Sequence, residues 1–378
     1  MRSIEQAFSV SYRYPVVFTR GALSPKNPTL RDALLRAGDG PHRTLVVVDS
    51  NVLAAHPALP DRVARYAKDH SAVFEPVGPP FVLDGGESCK EDLGWLPQLH
   101  ARMAKEGICR HSFVIAIGGG SVLDAAGYAA ALAHRGVRLI RFPTTVLAQN
   151  DAGIGVKNAV NFQRRKNFVG TFVPPFAVVN DFDFLETLDA RDLRSGIAEA
   201  IKVSLIKDAP SFDTLHKHRE ALGRFEADEM EDMIIRCAEL HLEHIRTSGD
   251  PFELGSARPL DFGHWAAHKL EELSGYDLRH GEAVAIGVAL DSLYCSRVGM
   301  ISEIERRRIF EVLEALGFAL DHASLERLDI EVALEDFRVH LGGELCVCLL
   351  DGIGRGVDVG SIDIPEMQRC VDALRGQG

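Results

Sequence analysis

The sequence is short of most features that would assign it a class at once. Its seven cysteines (Cys89, Cys109, Cys237, Cys295, Cys346, Cys348 and Cys370) are scattered over 378 residues and form no C-x-x-C pair. An odd, unpatterned set argues against a disulfide framework or a cysteine zinc site and suits reduced thiols in a cytoplasm. No apolar run approaches the roughly eighteen residues of a membrane span. The N-terminal stretch carries Glu5 inside an alternating pattern, unlike a secretion signal. Positive charge is in deficit, with 42 basic against 54 acidic side chains and a net charge of −12. That balance argues against a nucleic-acid or anionic-membrane surface, so an anionic ligand needs a local basic cluster. There is no internal repeat, and the G-x-G-x-x-G dinucleotide fingerprint is missing.

What is present centres on residues 113–157. Phe113–Ile117 is an apolar, β-branched run of the kind that forms a strand buried on both faces. Gly118, Gly119 and Gly120 follow and let the backbone turn sharply and approach a ligand closely. Ser121 then opens a helix predicted over Val122–Ala133, whose free N–H groups and dipole favour a phosphate. The pattern is G-G-G-S-x-x-D, and its place between strand and helix favours a nucleotide site over a packing turn. Val137–Phe142 is the next strand, closed by Pro143, Thr144 and Thr145. The loop beyond is polar, with Gln149, Asn150, Asp151, Lys157, Asn161, Lys166 and Asn167. Together with Arg135 upstream, its lysines supply positive potential on an acidic chain.

Further strands are expected within residues 7–19, at Thr44–Val48, at Ala72–Val77 and, last, at Phe176–Val179. A helix is expected to run on from residues 82–90 to about Glu106. Strands alternating with helices predict a mostly parallel, Rossmann-like sheet. Beyond about residue 184 only helices are read: Leu193–Ile206, Met230–Ile245, Phe262–Leu273, Ala283–Val298 and Ser302–Leu316. Two domains follow, 1–183 and 184–378, α/β then all-α. Polar residues interrupt the apolar helices at three places. Glu199 and Lys202 lie one turn apart, the spacing of a surface ion pair. His264 and His268 share a helix face at i, i+4, a geometry suited to one metal ion. His280 and Glu282 precede the helix from Ala283. Two histidines and a carboxylate would leave zinc an open position for chemistry.

Taken together, the blocks AIGGGSVLDAAGYAA, HRGVRLIRFPTTVLAQNDAGIGVKNAVN, RKNFVGTF, GIAEAIK, DFGHWAAHKLE and HGEAVAIG resemble, in order, those of the dehydroquinate synthase family of sugar phosphate cyclases. The resemblance runs from about Val46 to Gly356. It implies the dehydroquinate synthase-like fold, an N-terminal domain holding NAD, a helical domain holding Zn2+ (or Co2+), a sugar phosphate substrate and a homodimer. It replaces the His264/His268 pair by Glu199, His264 and His280 as metal ligands. His268 then matches a histidine near the substrate phosphate. Lys157, Lys202 and Asn167 match substrate-contacting positions, Asp151 a site beside the reacting hydroxyls, and Arg135 an arginine that reaches the neighbouring subunit. Gly118, Gly119, Gly120, Ser121, Asp124, Thr144 and Thr145 match the nicotinamide and pyrophosphate region. Asp49, Asn51, Glu87 and Lys90 match the adenosine side, with Lys166 placed beside the cofactor.

The departures from the family pattern bear on substrate. Asp261 stands where dehydroquinate synthases carry asparagine, and it would disfavour a substrate carboxylate by about 1–3 kcal/mol. The family's D-E-x-E-x-G-x-R approach becomes Asp250 to Arg258, which retains Glu253 but displaces the arginine by one position. His241 replaces a family lysine. A C-terminal lysine pair is missing where Arg338 or His340 stands. An aspartate in D-F-G-H resembles the relatives that cyclise sedoheptulose 7-phosphate, the 2-epi-5-epi-valiolone and 2-epi-valiolone synthases. Retention of His268 points to the second type. 3-Dehydroquinate synthase is the alternative within the family. The metal-dependent alcohol and glycerol-phosphate dehydrogenases, which share G-G-G-S-x-x-D, are the alternative outside it.

Overall fold

The computed structural model describes residues 2–163, 165–248, 250–252 and 260–375, without the His340 side chain. The chain forms two compact units, one of residues 1–144 with 153–183 and one of residues 145–152 with 184–378.

In the first unit the order is β1 (Val16–Thr19), α1 (Thr29–Leu35), β2 (His42–Asp49), α2 (Ser50–Ala55), α3 (Leu59–Asp69), β3 (Phe74–Pro76), β4 (Phe81–Leu83), α4 (Ser88–Glu91) and α5 (Trp95–Lys105). There follow β5 (Phe113–Gly118), α6 (Gly120–Leu132), β6 (Arg138–Pro143), β7 (Lys157–Phe162), β8 (Arg165–Phe172) and β9 (Ala177–Asp181). The main sheet runs β1-β9-β6-β5-β2-β3, with β4 also on β2, and every pairing is parallel. Its central strands are apolar because both faces are covered, and Val46–Val48 and Phe113–Ile117 are buried throughout. After β2 the chain winds to one edge, then returns through β5 to the other side. The carboxyl ends of β2 and β5 therefore flank the switch point where open α/β sheets bind ligands. Asp49 ends β2 and Gly118 ends β5.

Four expectations change. Within residues 7–19, where strands are expected, only Val16–Thr19 pairs, and it does so in parallel with β9. Exposed Ile4, Phe8, Val10 and Tyr12 alternate like a strand, but no partner strand among the described residues pairs with that stretch. The helix expected to reach Glu106 is broken into α4 and α5 around Asp92–Gly94, where the Asp92 side chain accepts from Gly94 N at 2.8 Å. The polar loop after β6 holds the antiparallel β7–β8 hairpin, with a bulge between Val160 and Phe162. Phe176–Val179 marks β9, but it is not the last strand.

The second unit is helical: α7 (Ala190–Lys207), α8 (Ala209–Gly223), α9 (Ala227–Thr247), α10 (His264–Leu273), α11 (His280–Arg297), α12 (Glu303–Ala315), α13 (Ile330–His340) and α14 (Ile364–Arg375). One small antiparallel ribbon, β10 (Val347–Leu350) with β11 (Gly356–Val359), accompanies the helices. Residues Ala148–Ala152 form a single π turn against α7 and α9, a local geometry often found at functional sites. None of the described helices is long and apolar enough to cross a membrane.

Candidate active site

At the switch point the Asp49 carboxylate caps α2 by accepting from Asn51 N at 2.8 Å and also accepts from the Gly119 backbone. It thereby ties the end of β2 to the glycine turn, and burial pushes its carboxyl up despite those bonds. The glycines are required sterically. A Cβ on Gly118 would lie 3.0 Å from that of Asp49, and one on Gly85 would lie 2.3 Å from Asn51 Nδ2. Gly119 precedes α6 in extended geometry, so the first N–H groups of that helix stay available to an anion. Thr144 is buried, with its N–H bonded to Gly118 O at 3.0 Å.

Beside this turn lies a charged cluster. Lys90 is buried, with Nζ 2.9 Å from Asp124 Oδ2, 3.8 Å from Glu87 Oε1 and hydrogen-bonded to Asn167 Oδ1. Ser121 Oγ donates to Glu87 at 2.7 Å, and Asn161 Nδ2 donates to Glu87 and Glu91 at 3.2 and 2.8 Å. Burial alone would raise the Glu87 carboxyl, but Lys90, Lys166 and these hydrogen bonds together hold it below the ordinary value. Burial raises the Asp124 carboxyl, and Lys90 offsets part of that. Asn167 adopts φ 55°, and its N–H bonds to Asn161 Oδ1 at 2.8 Å. Expected among substrate contacts, it meets Lys90 through its side-chain oxygen in this structure. Lys157 begins β7 and is exposed. Arg135 lies beyond the far end of α6, so the helix alone separates it from the glycine turn by about 20 Å at 1.5 Å per residue.

Arg141 was missed by the sequence reading. It is fully buried and donates to the carbonyls of Gly153, Gly155 and Lys157 at 3.1, 2.9 and 2.9 Å, and to Asn158 Oδ1 at 2.7 Å. A lone arginine inside a strand thus shapes the approach to Lys157. Gly127 of α6 makes room for this, since a Cβ there would lie 1.8 Å from Asn158 Oδ1.

In the second unit three elements converge. Ser195 on α7 accepts from Gly281 N at 3.1 Å, and a Cβ on Gly281 would lie 2.0 Å from Ser195 O. That close contact brings Glu199, one turn along α7, to His280 at the start of α11. His280 Nε2 lies 3.4 Å, and His264 Nε2 3.7 Å, from Glu199 Oε1. His280 Nδ1 faces Glu271 Oε2 at 3.1 Å, and His264 Nδ1 faces Phe262 O at 3.3 Å. Carboxylates and carbonyls only accept, so both Nδ1 atoms carry the proton and both Nε2 lone pairs point at Glu199. Glu199 is fully buried, and neither oxygen meets a donor in good hydrogen-bond geometry, although the Lys202 ammonium lies against Oε2. Burial opposes ionisation of Glu199, yet the Lys202 ammonium beside it holds its carboxyl well below the ordinary value. Burial, with Lys202 second, drives His264 well below its ordinary value and keeps it neutral. Three electron-pair donors facing one point fit a divalent cation.

His268, expected near a phosphate, has its ring centroid 5.3 Å from that of His264 and 6.1 Å from that of His280. With Glu271 and His280 it forms a second group close enough to share a cation. Glu271 was missed by the sequence reading, because it looks like one of an ordinary surface pair with Glu272. Asp151 lies in the π turn with Oδ1 3.5 Å from His241 Nε2. Lys202 is raised against burial by Glu199 and Asp151. Thr145 Oγ1 accepts from Ala148 N at 3.1 Å and starts the same segment. Asp261 precedes α10, its carbonyl accepting from His264 N at 2.9 Å. Glu253, Arg258 and the His340 side chain lie outside the described residues.

Residues 80–195 match the N-terminal domain of 3-dehydroquinate synthase, and residues 196–338 its C-terminal domain. The chain therefore belongs to the dehydroquinate synthase family of sugar phosphate cyclases. Within it, the chain is 34% identical over 369 residues to a 2-epi-5-epi-valiolone synthase of Streptomyces hygroscopicus subsp. jinggangensis (strain 5008), covering 96% of this chain and 87% of that one. It is 32% identical over 374 residues to a 2-epi-5-epi-valiolone synthase of an Actinomyces species, covering 97% and 96%. The solved Streptomyces enzyme, with NAD+ and Zn2+ bound, superposes with a TM-score of 0.87 at 32% identity, over 99% of this chain and 100% of that one.

Proposed function

We propose that this chain is a sedoheptulose 7-phosphate cyclase, an NAD- and divalent-metal-dependent carbon–oxygen lyase forming a C7 cyclitol of the valiolone series with loss of phosphate. The reaction is a transient oxidation of one secondary alcohol, elimination of phosphate, reduction by the same cofactor and intramolecular aldol closure. When bound, NAD supplies a hydride acceptor restored within each cycle, and the cation polarises neighbouring substrate oxygens. Glu199, His264 and His280 hold that cation. Lys202 stays protonated between Glu199 and Asp151 and steadies negative charge on the substrate oxygens. Lys157, His268 and Asn167 bind the sugar phosphate. Asp49, Asn51, Glu87, Lys90, Asp124 and the turn at Gly118–Ser121 orient the dinucleotide. A cytoplasmic homodimer belongs to this reading, with exposed Arg135 serving the partner's phosphate site.

The observation that carries the assignment is the meeting of two Nε2 lone pairs with Glu199 Oε1 in a chain of this family. Asp261 supports the substrate choice, since its carboxylate opposes a carboxylated sugar. Retention of His268 favours the 2-epi-valiolone epimer, whereas the similar proteins named above carry the 2-epi-5-epi name. The test is phosphate release by enzyme loaded with NAD and zinc, comparing sedoheptulose 7-phosphate with the heptulosonate phosphate of dehydroquinate synthase. Release from the first is expected, and release from the heptulosonate alone rejects the substrate. Asp261→Asn should then narrow the preference by about 5- to 150-fold, the equivalent of about 1–3 kcal/mol. Net accumulation of NADH would instead indicate a dehydrogenase.

A further inference from the structure

His241 sits on α9 behind Asp151, where the family pattern carries a lysine. Its Nδ1 lies 2.8 Å from Asn150 O. A backbone carbonyl can only accept, so Nδ1 carries a hydrogen whatever the protonation state of the ring. Asn150 is itself fixed, fully buried and donating through Nδ2 to Gly196 O at 2.8 Å. The ring therefore presents Nε2 to Asp151 Oδ1 at 3.5 Å. A bare lone pair facing a bare carboxylate is repulsive, and one proton on either group turns the contact into an attraction. The two groups differ in access, with side-chain exposures of 9% for His241 and 38% for Asp151. The other ionisable groups nearby are Cys237, whose Sγ is 3.9 Å from His241 Nδ1, and Lys202 and Glu199 on α7.

We infer that His241 is a proton store that works through Asp151, holding the substrate hydroxyl's proton while the cofactor holds its hydride. This rests on the function proposed above. In the oxidation, the C–H electron pair leaves with hydrogen as hydride to the nicotinamide, and the O–H proton passes to Asp151 and on to Nε2. In the reduction, the same nicotinamide returns the hydride, and the pair returns a proton to the carbonyl oxygen. One hydride, carrying both electrons, and one proton leave, and the same hydride and proton count returns, so no other oxidant or base is needed for these two steps. A lysine at this position, protonated at neutral pH, would not accept that proton.

The deciding variant is His241→Asn. The Asn amide nitrogen falls where Nδ1 was and keeps the bond to Asn150 O, while Nε2 is lost. With holoenzyme and sedoheptulose 7-phosphate, kcat for phosphate release should fall at least 30-fold, with KM within threefold and zinc content unchanged. Retention of more than a third of kcat would reduce His241 to a structural role and overturn the inference. An independent readout is the 15N spectrum of histidine-labelled enzyme, in which the resonances absent from His241→Asn belong to His241. Wild-type Nδ1 should carry a proton, and a neutral ring protonated only at Nε2 overturns the store whatever the variant's activity; should the Asn variant not fold, His241→Gln supplies the same assignment. If wild-type enzyme releases phosphate from neither sugar, the proposed function falls and the proton's route with it. The Nε2–H tautomer, by contrast, sinks the store alone.

Discussion

The charged clusters of the two units are built on opposite principles. Around Lys90 in the first unit each charge meets its complement: ammonium to Asp124 and Glu87, hydroxyl and amide donors to Glu87. Around Glu199 in the second unit, acceptors face acceptors, with two imidazole lone pairs and a carboxylate oxygen aimed at one another. The first arrangement is electrically complete without a ligand. The second lacks a positive charge at its centre, because Lys202 covers only one side of the carboxylate. Buried acceptors without donors are costly to keep. On the function proposed above, the difference makes the dinucleotide side preformed, whereas the metal side would draw its stability from the ion.

The sharpest way to break the comparison is Glu199→Gln. The amide keeps the shape but loses the charge, and it aims one N–H or one weaker acceptor at the histidines. Phosphate release should fall by more than the roughly 10–100-fold typical of an outer-shell partner. Dinucleotide affinity, measured by calorimetry, should stay within threefold. Added zinc at a hundred times its dissociation constant should stabilise wild type by about 2.7 kcal/mol and the variant hardly at all. Equal stabilisation of both would mean that the ion binds elsewhere.

The first unit is tested by removing its own counter-charge. Lys90→Met leaves Asp124 facing a methionine in a buried site, which should cost about 3–5 kcal/mol in urea unfolding. Lys90→Met with Asp124→Leu should recover most of that loss, because both charges are gone. Failure to recover would mean that Lys90 acts through Asn167 and the β7–β8 hairpin rather than through charge balance.

Asp291, on α11, offers a pH test close to the proposed metal ligands. It is fully buried and accepts from Trp265 Nε1 at 2.9 Å and Gly263 N at 3.0 Å, which holds the turn into α10. Gly263 sits at φ 78° against Gly287, and a Cβ on it would lie 2.6 Å from Val288 N. Burial pushes the Asp291 carboxyl from 3.8 up to about 7. The folded chain therefore binds this proton more tightly than the unfolded chain. Its contribution is complete below about pH 4 and is lost as pH rises towards 7, a change of about 4 kcal/mol. Asp291→Asn should flatten the stability profile across that window, and an unchanged slope would place the carboxyl in a wetter site.

The parts of the fold that were legible in the sequence are those where one force dominates. Phe113–Ile117 and Val137–Phe142 are apolar enough to mark β5 and β6 to within a residue. Leu193–Ile206 and Ser302–Leu316 carry helical periodicity that matches α7 and α12 closely. The β7–β8 hairpin was not legible, because Asn161, Lys166 and Asn167 read as a solvated loop while their partners lie across the hairpin or at α4. In the site, the spacing of His264 and His268 announced a metal, but spacing cannot tell which third group arrives from another helix. Glu199 and His280 came from family resemblance, and the contact of Ser195 with Gly281 is the physical reason they meet. Arg141 shows the opposite failure: a charge inside an apolar strand gives no hint of the carbonyls that will surround it.

Glu271 gives the smallest expected effect and the finest test of the contrast between the two clusters. It is buried at 4% exposure, whereas its neighbour Glu272 faces outward and pairs with Lys269 at 2.9 Å. Its Oε2 accepts from His280 Nδ1 at 3.1 Å, which fixes the tautomer and turns Nε2 towards Glu199. Glu271→Gln retains an acceptor oxygen but loses the charge that makes the imidazole a stronger donor to the ion. Zinc affinity should weaken by about 10–100-fold, with substrate KM nearly unchanged once zinc is saturating. If Glu271 instead binds the ion directly with His268 and His280, the second group these side chains can form, saturating zinc will not restore kcat. Zinc absorption spectroscopy would then report one fewer oxygen ligand. A metal side completed by its ion predicts the first outcome, since the carboxylate then needs only to aim the ring.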